Sequence, residues 1–309
     1  MHQFTTPHIT IEMTSAAAGQ KKVEISEFNA EDDPFQHAKA FSTEKTDDIS
    51  LEILDITNKN NNKLFCRYWK PAGDVRALVL LMHGYAEHLQ WYHHVGMSLA
   101  QEGCLAFGHD HLDDALLHVN KMQSSYPNIP TFLMGHSMGG LVALLTAVKQ
   151  PNIFKGVVLN GPFVMLGEDV RSPFKKWCAR TFCKILPNAQ VGSLNMDFVT
   201  GDKQMVEKIN ADPLWWKGGV KLKTGAAFLN AVEKVSAHFP KMDFPFLIIH
   251  GADDKICDPE GSQNIMKESP SKDKLIKMYP AAEHHLYLDK KSVRDQAVQD
   301  TVEWICQRV

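Results

Sequence analysis

The sequence predicts an α/β protein built on a mostly parallel, doubly wound sheet. The first indication is a series of short apolar runs, RALVLLMHG, CLAF, TFLM, GVVLNGP, FPFLIIHG and KLIKMYP, separated by stretches of helical character. Strands and helices alternating at this spacing form βαβ units. The second indication is that RALVLLMHG is apolar throughout, as suits a central strand covered on both faces. The third is that the alternation breaks once, from Phe163 to about Phe239, where a helical, loop-rich stretch reads as an insertion over one end of the sheet.

Residues 1–48 are polar and charge-mixed (KKVEISEFNAEDDPF, STEKTDD), show no sustained period, and are expected to form a disordered tail ahead of a domain at 49–309. SLEILDIT and KLFCRYWKP alternate like strands, and the asparagine-rich 59–62 between them makes a β-hairpin. WYHHVGMSLAQEG is predicted to be a helix stopped at Gly103, and DDALLHVNKMQSSYP a helix closed at Tyr126-Pro127. GGLVALLTAVKQP follows TFLM as a third helix. GSQNIMKESP and SVRDQAVQDTVEWICQRV lie on either side of the last strand.

The chain has 309 residues, 44% hydrophobic and 22% charged, enough for a sizeable core. Its net charge of -3, with no stripe of Lys and Arg, argues against a nucleic-acid partner. Cysteines at 66, 104, 178, 183, 257 and 306 form neither CxxC pairs nor a dense framework, which suits a reduced, cytoplasmic setting. No signal peptide is evident, and no apolar stretch reaches the ~18 residues that span a bilayer. Membrane contact is therefore expected to be peripheral.

The chemistry centres on TFLMGHSMGG at 131–140. Glycines on both sides of His136-Ser137-Met138 permit a sharp strand-to-helix turn that lifts the serine hydroxyl clear of the sheet. The backbone N–H of Met138 then sits at a helix N-terminus, facing a developing oxyanion. A serine hydroxyl needs a base, and the base an orienting acid. ADDKICDP, after one strand, offers Asp253, Asp254 and Asp258; AAEHHLYLD, after the last, offers His284 and His285. The order Ser, acid, His and the strand-end placement both fit such a triad.

These residues resemble the α/β-hydrolases and, more closely, the vertebrate-type monoglyceride lipases, from about Leu64 to the C-terminus. LFCRYWKP, HGYAEH, FGHDH, LMGHSMGG, NADPL, FLNAV and HGADDKICD carry the resemblance. It implies an α/β-hydrolase fold with a helical cap at about 163–239, and hydrolysis of a monoacylglycerol to fatty acid and glycerol without metal or organic cofactor. Position by position, it implies that Ser137 is the nucleophile, Asp254 the acid, and His284 rather than His285 the base. Tyr85 and Met138 would supply the oxyanion N–H groups, and His83, Gly84, Glu87 and His136 would line the substrate site. The cap, with Phe163, Phe174, Trp177, Phe182 and Ile185 among Lys175, Lys176, Arg180 and Lys184, would admit an acyl chain from a membrane.

The chain departs from that pattern in places. FGHDH runs directly into LDDALLHV, without the family's Gly-His-Gly-x-Ser-x-Gly loop. Trp91 replaces an arginine, Ile209 a tyrosine, and Tyr287 a second histidine. Hydrolysis of another lipid ester or lysophospholipid, or lipid binding by a catalytically impaired isoform, are the alternatives these departures leave open.

Overall fold

The protein is described by a computed structural model covering residues 49–58, 60–109, 114–167 and 181–309. The expected N-terminal tail, the FGHDH–LDD junction at 110–113, and Phe174, Lys175, Lys176, Trp177, Cys178 and Arg180 lie outside the described residues.

The chain opens with the expected hairpin, β1 (Ser50–Thr57) antiparallel to β2 (Lys63–Lys70). There follow β3 (Ala77–Met82), α1 (His93–Gln101), β4 (Cys104–His109), α2 (Ala115–Ser125), β5 (Thr131–His136), α3 (Met138–Lys149) and β6 (Gly156–Asn160). After the insertion come β9 (Phe246–Gly251), α7 (Pro259–Glu268), β10 (Lys274–Tyr279) and α8 (Lys291–Cys306). Strands lie in the order β1-β2-β4-β3-β5-β6-β9-β10, and every neighbouring pair from β4 onward is parallel. This is the mostly parallel sheet the alternation predicts.

The apolar run of β3 accounts for both faces. Ala77, Val79 and Leu81 join a cluster with Val95 and Leu99 of α1 and Ala297 and Trp304 of α8. Leu78, Leu80 and Met82 point the other way, to Val119 of α2 and Leu141 and Leu144 of α3. Successive strand side chains alternate faces, so only an unbroken apolar run can feed two cores. The crossover helices therefore close over both sides, and the carboxyl ends of β3, β5, β6 and β9 share one edge.

Between β6 and β9 the described part of the insertion holds a short antiparallel pair, β7 (Gln190–Val191) with β8 (Val220–Lys221), and helices α4 (Met196–Val199), α5 (Lys203–Ala211) and α6 (Leu222–Val235). Phe228, Ala231 and Val235 of α6 bury against the sheet-side core. Phe182, Ile185, Leu186 and Leu214 are exposed. The two-residue strands are not visible in the sequence pattern. Among the described residues, no helix is long and apolar enough to cross a membrane.

Candidate active site

The turn between β5 and α3 is built as the two glycines require. Ser137 adopts φ 51°, ψ -117°, a left-handed conformation that an L-residue holds only under restraint. Its N–H donates to Asn160 O (3.0 Å) at the end of β6, and its carbonyl accepts from Leu141 N (3.1 Å) and Phe163 N (3.0 Å). A Cβ on Gly135 would lie 2.3 Å from Gly139 O, and one on Gly139 would lie 2.2 Å from Met82 O. Strand, turn and helix approach too closely at these points for any residue but glycine.

The strand-end loops bring an acid and a histidine to the same place. Asp254, after β9, is buried; its Oδ2 accepts from His284 Nδ1 (2.6 Å) and His250 Nε2 (3.0 Å), and its Oδ1 from Ile256 N (2.8 Å) and Cys257 N (2.9 Å). Burial works to raise its pKa. The charge of His284 and the hydrogen bonds from His250 and His284 outweigh burial and hold the carboxyl well below its usual range. The other two strand-end acids stand apart: Asp253 is exposed, and Asp258 caps α7 by accepting from Glu260 N (2.8 Å).

Cys257 Sγ links the two halves. It lies 4.0 Å from Ser137 Oγ, and ligand atoms of Cys257, Asp254 and His284 all lie within 4.8 Å of one another. Its own thiol is pushed well above the ordinary value, chiefly by burial.

The two adjacent histidines have different partners. His284 faces Asp254, whereas His285 Nε2 lies 3.0 Å from Glu87 Oε2. His136 sits between them, with ring centroids 4.6 Å from His284 and 3.9 Å from His285. Burial, with the charges of His285 and His284, holds His136 well below its usual pKa, so it is neutral near pH 7. Glu87 Oε1 accepts from Gly84 N and from Tyr92 OH (2.6 Å). Burial raises the Glu87 pKa and His285 lowers it further still, with the net result below the carboxylate range.

His83 Nδ1 faces Gly84 O at 2.7 Å. A Cβ on Gly84 would meet Ser137 Cβ at 3.3 Å, which places this loop directly over the serine turn. Tyr85 N–H has no acceptor among the described residues.

Among the described residues, two triplets have the residue types of a metal site, Glu87–His136–His285 and Asp254–Cys257–His284. In both, the carboxylate is already engaged by several N–H or O–H donors.

Sequence reasoning missed His250 and Tyr92. His250 sits one residue from the end of the otherwise apolar β9, accepts or donates through Nδ1 with Ser262 Oγ (2.7 Å), and offers Nε2 to Asp254. A lone histidine in an apolar strand was the available signal. Tyr92 carried none, because its partner Glu87 is recognisable only in three dimensions.

A doubly wound sheet, a strained serine turn at the end of β5 and a buried acid–histidine pair define an α/β-hydrolase. The chain matches the serine aminopeptidase S33 family over residues 73–112 and 108–291, and it belongs to that family. The two matched segments overlap at 108–112, where FGHDH meets LDDALLHV. Among relatives, the monoglyceride lipase of Homo sapiens is 35% identical over 276 residues, which are 83% of this chain and 91% of that protein. That of Rattus norvegicus is 34% identical over 84% of this chain and 91% of its own length. A solved structure of a soluble variant of the Saccharomyces cerevisiae monoglyceride lipase, in complex with a substrate analogue, shares the fold. Its TM-score is 0.75 at 24% identity, over 87% of this chain and 98% of that one. The chain is a carboxylic ester hydrolase, monoacylglycerol-lipase-like.

Proposed function

We propose that the chain hydrolyses monoacylglycerols to fatty acid and glycerol through Ser137, His284 and Asp254. The observation that carries this reading is the left-handed Ser137, whose Oγ lies 4.0 Å from Cys257 Sγ and makes no hydrogen bond to His284 among the described residues, together with the buried His284–Asp254 pair at 2.6 Å. Ser137 Oγ attacks the ester carbonyl and His284 takes its proton. Asp254 fixes the imidazole through Nδ1 and stabilises the cation that forms. The tetrahedral oxyanion is received by the N–H groups of Met138 and Tyr85. His284 then protonates the departing glycerol oxygen, and water repeats the sequence to free the acid.

The acylglycerol reading draws on the monoglyceride lipase relatives. Phe182, Ile185, Leu186 and Leu214 on the insertion are exposed apolar side chains of a kind suited to contact a lipid surface. A second reading, another lipid ester as substrate, draws on Trp91. Where the resemblance expects an arginine, the indole N–H donates to Asp212 (2.8 Å), which also faces His88 (2.8 Å). A head-group series separates the two: monooleoylglycerol should be hydrolysed at least ~10-fold faster than lysophosphatidylcholine, a margin of about 1.4 kcal/mol in transition-state stabilisation. The reverse order would assign the chain to the second reading.

A further inference from the structure

We infer that His285 is a positioning residue: through Glu87 it holds the loop that presents the Tyr85 N–H to the oxyanion. The inference rests on the hydrolase reading above and deepens it.

Glu87 is gripped from three directions. Gly84 N and Tyr92 OH donate to Oε1, and His285 Nε2 donates to Oε2. The side chains of Glu87 and His285 are each 1% exposed. A carboxylate so buried stays ionised only while its partners remain in place. Without the imidazole, Glu87 would take up a proton or turn away. Either change weakens its hold on Gly84 N.

That hold matters because of the next peptide unit. Gly84 O, in the Gly84–Tyr85 peptide, is engaged by His83 Nδ1 at 2.7 Å, and Gly84 N, in the preceding peptide, by Glu87, so the two peptide planes that meet at Gly84 are each held. The peptide is trans, so Tyr85 N–H points opposite to the Gly84 carbonyl. The loop does not rest there unaided: Ala86 has φ 75°, a left-handed conformation in a residue with a Cβ.

His285 is itself well anchored. Its N–H donates to Val199 O (2.8 Å) in the insertion, and its ring stacks near His136, the neighbour of Ser137. Where the family pattern has a second histidine, this chain has Tyr287. Tyr287 instead exchanges a hydrogen bond with Thr301 (2.8 Å).

The test is the rate at which a fluorophosphonate labels Ser137 in the full chain. It is combined with kcat and KM on p-nitrophenyl butyrate and with melting temperature. His285→Leu should lower labelling rate and kcat by roughly 10- to 100-fold, with KM within about 2-fold, because loop placement acts on the transition state. His285→Gln, whose amide nitrogen reaches the place of Nε2, should recover to within about 3-fold of the parent; His285→Asn, with its nitrogen near Nδ1, should not. Parent-like rates in the Leu and Asn variants, or a Gln variant as slow as Asn, would overturn the assignment. If the Leu variant does not fold, the Gln–Asn comparison decides alone. A parent that is not labelled at all would sink the hydrolase reading itself, and the positioning role with it.

Discussion

Asp254 contacts more than one histidine. Its Oδ2 serves two imidazoles and its Oδ1 two backbone N–H groups. An asparagine there must turn its NH2 group toward donors on one side or the other. Asp254→Asn should therefore lose activity by ~10⁴-fold, as a wrongly oriented base does. It should also destabilise the fold, since a buried donor left unsatisfied costs about 1–3 kcal/mol. Thermal melting alongside the ester assay separates the two effects; an unchanged melting temperature would mean that His250 is not bound to this acid. The adjacent histidines make a second comparison. His284→Ala should reduce ester hydrolysis by ~10³-fold or more, and His285→Ala far less, because only His284 faces Asp254. Equal losses would exchange their roles. From the sequence alone the choice between these neighbours rested on resemblance. The contact that distinguishes them, His285 with Glu87, spans 198 residues and leaves no local pattern.

The serine turn shows why elements and chemistry are inseparable in this fold. Gly139 admits the first turn of α3 against the end of β3, where a methyl group would lie 2.2 Å from Met82 O and 2.5 Å from His83 O. Both contacts are backbone, so neither can rotate aside. Gly139→Ala should cost about 1–3 kcal/mol of stability. It should cost activity in excess of the folded fraction, because the displaced backbone leads into the His83–Gly84 loop. Specific activity per folded molecule, with folding followed by circular dichroism, checks this; full activity in a stably folded variant would contradict it. The elements around this turn were legible because each follows one rule: continuous apolar runs for strands buried on two faces, glycine and proline for their ends. The β7–β8 pair was not legible. Each strand is two residues long, Gln190 and Val191 are exposed, and no period can be read from so short a piece. The strain at Ser137 was implied by its flanking glycines, whereas that at Ala86 carried no sequence signal.

At the scale of the whole molecule, buried histidines set the acid limit of the fold. His94 and His118 are driven down to about 3, chiefly by burial. In an unfolded chain a histidine titrates near ~6.5. Between those values the unfolded chain binds protons that the folded chain refuses, so stability falls as pH drops from about 6.5 toward 3. Asp254 and Glu87, both depressed, add a lower window: their contribution is complete above about 4 and is lost as pH falls further. His118 faces His109 Nδ1 (2.9 Å) and Tyr68 OH (2.9 Å). Urea unfolding between pH 7 and 5 should show declining stability, and His118→Gln should flatten that slope by up to ~1.4 kcal/mol per pH unit. An unchanged slope would mean that His118 takes up its proton in the folded state.

The proposed hydrolysis requires that this fold make Ser137 a nucleophile. Incubation of the intact protein with a fluorophosphonate, followed by peptide mass spectrometry, reads it directly. A single phosphonyl adduct is expected on the peptide containing Ser137, none after Ser137→Ala, and strongly slowed labelling after His284→Ala with the fold retained. Labelling that persists in the Ser137→Ala protein, or a folded parent that stays unlabelled, would contradict it.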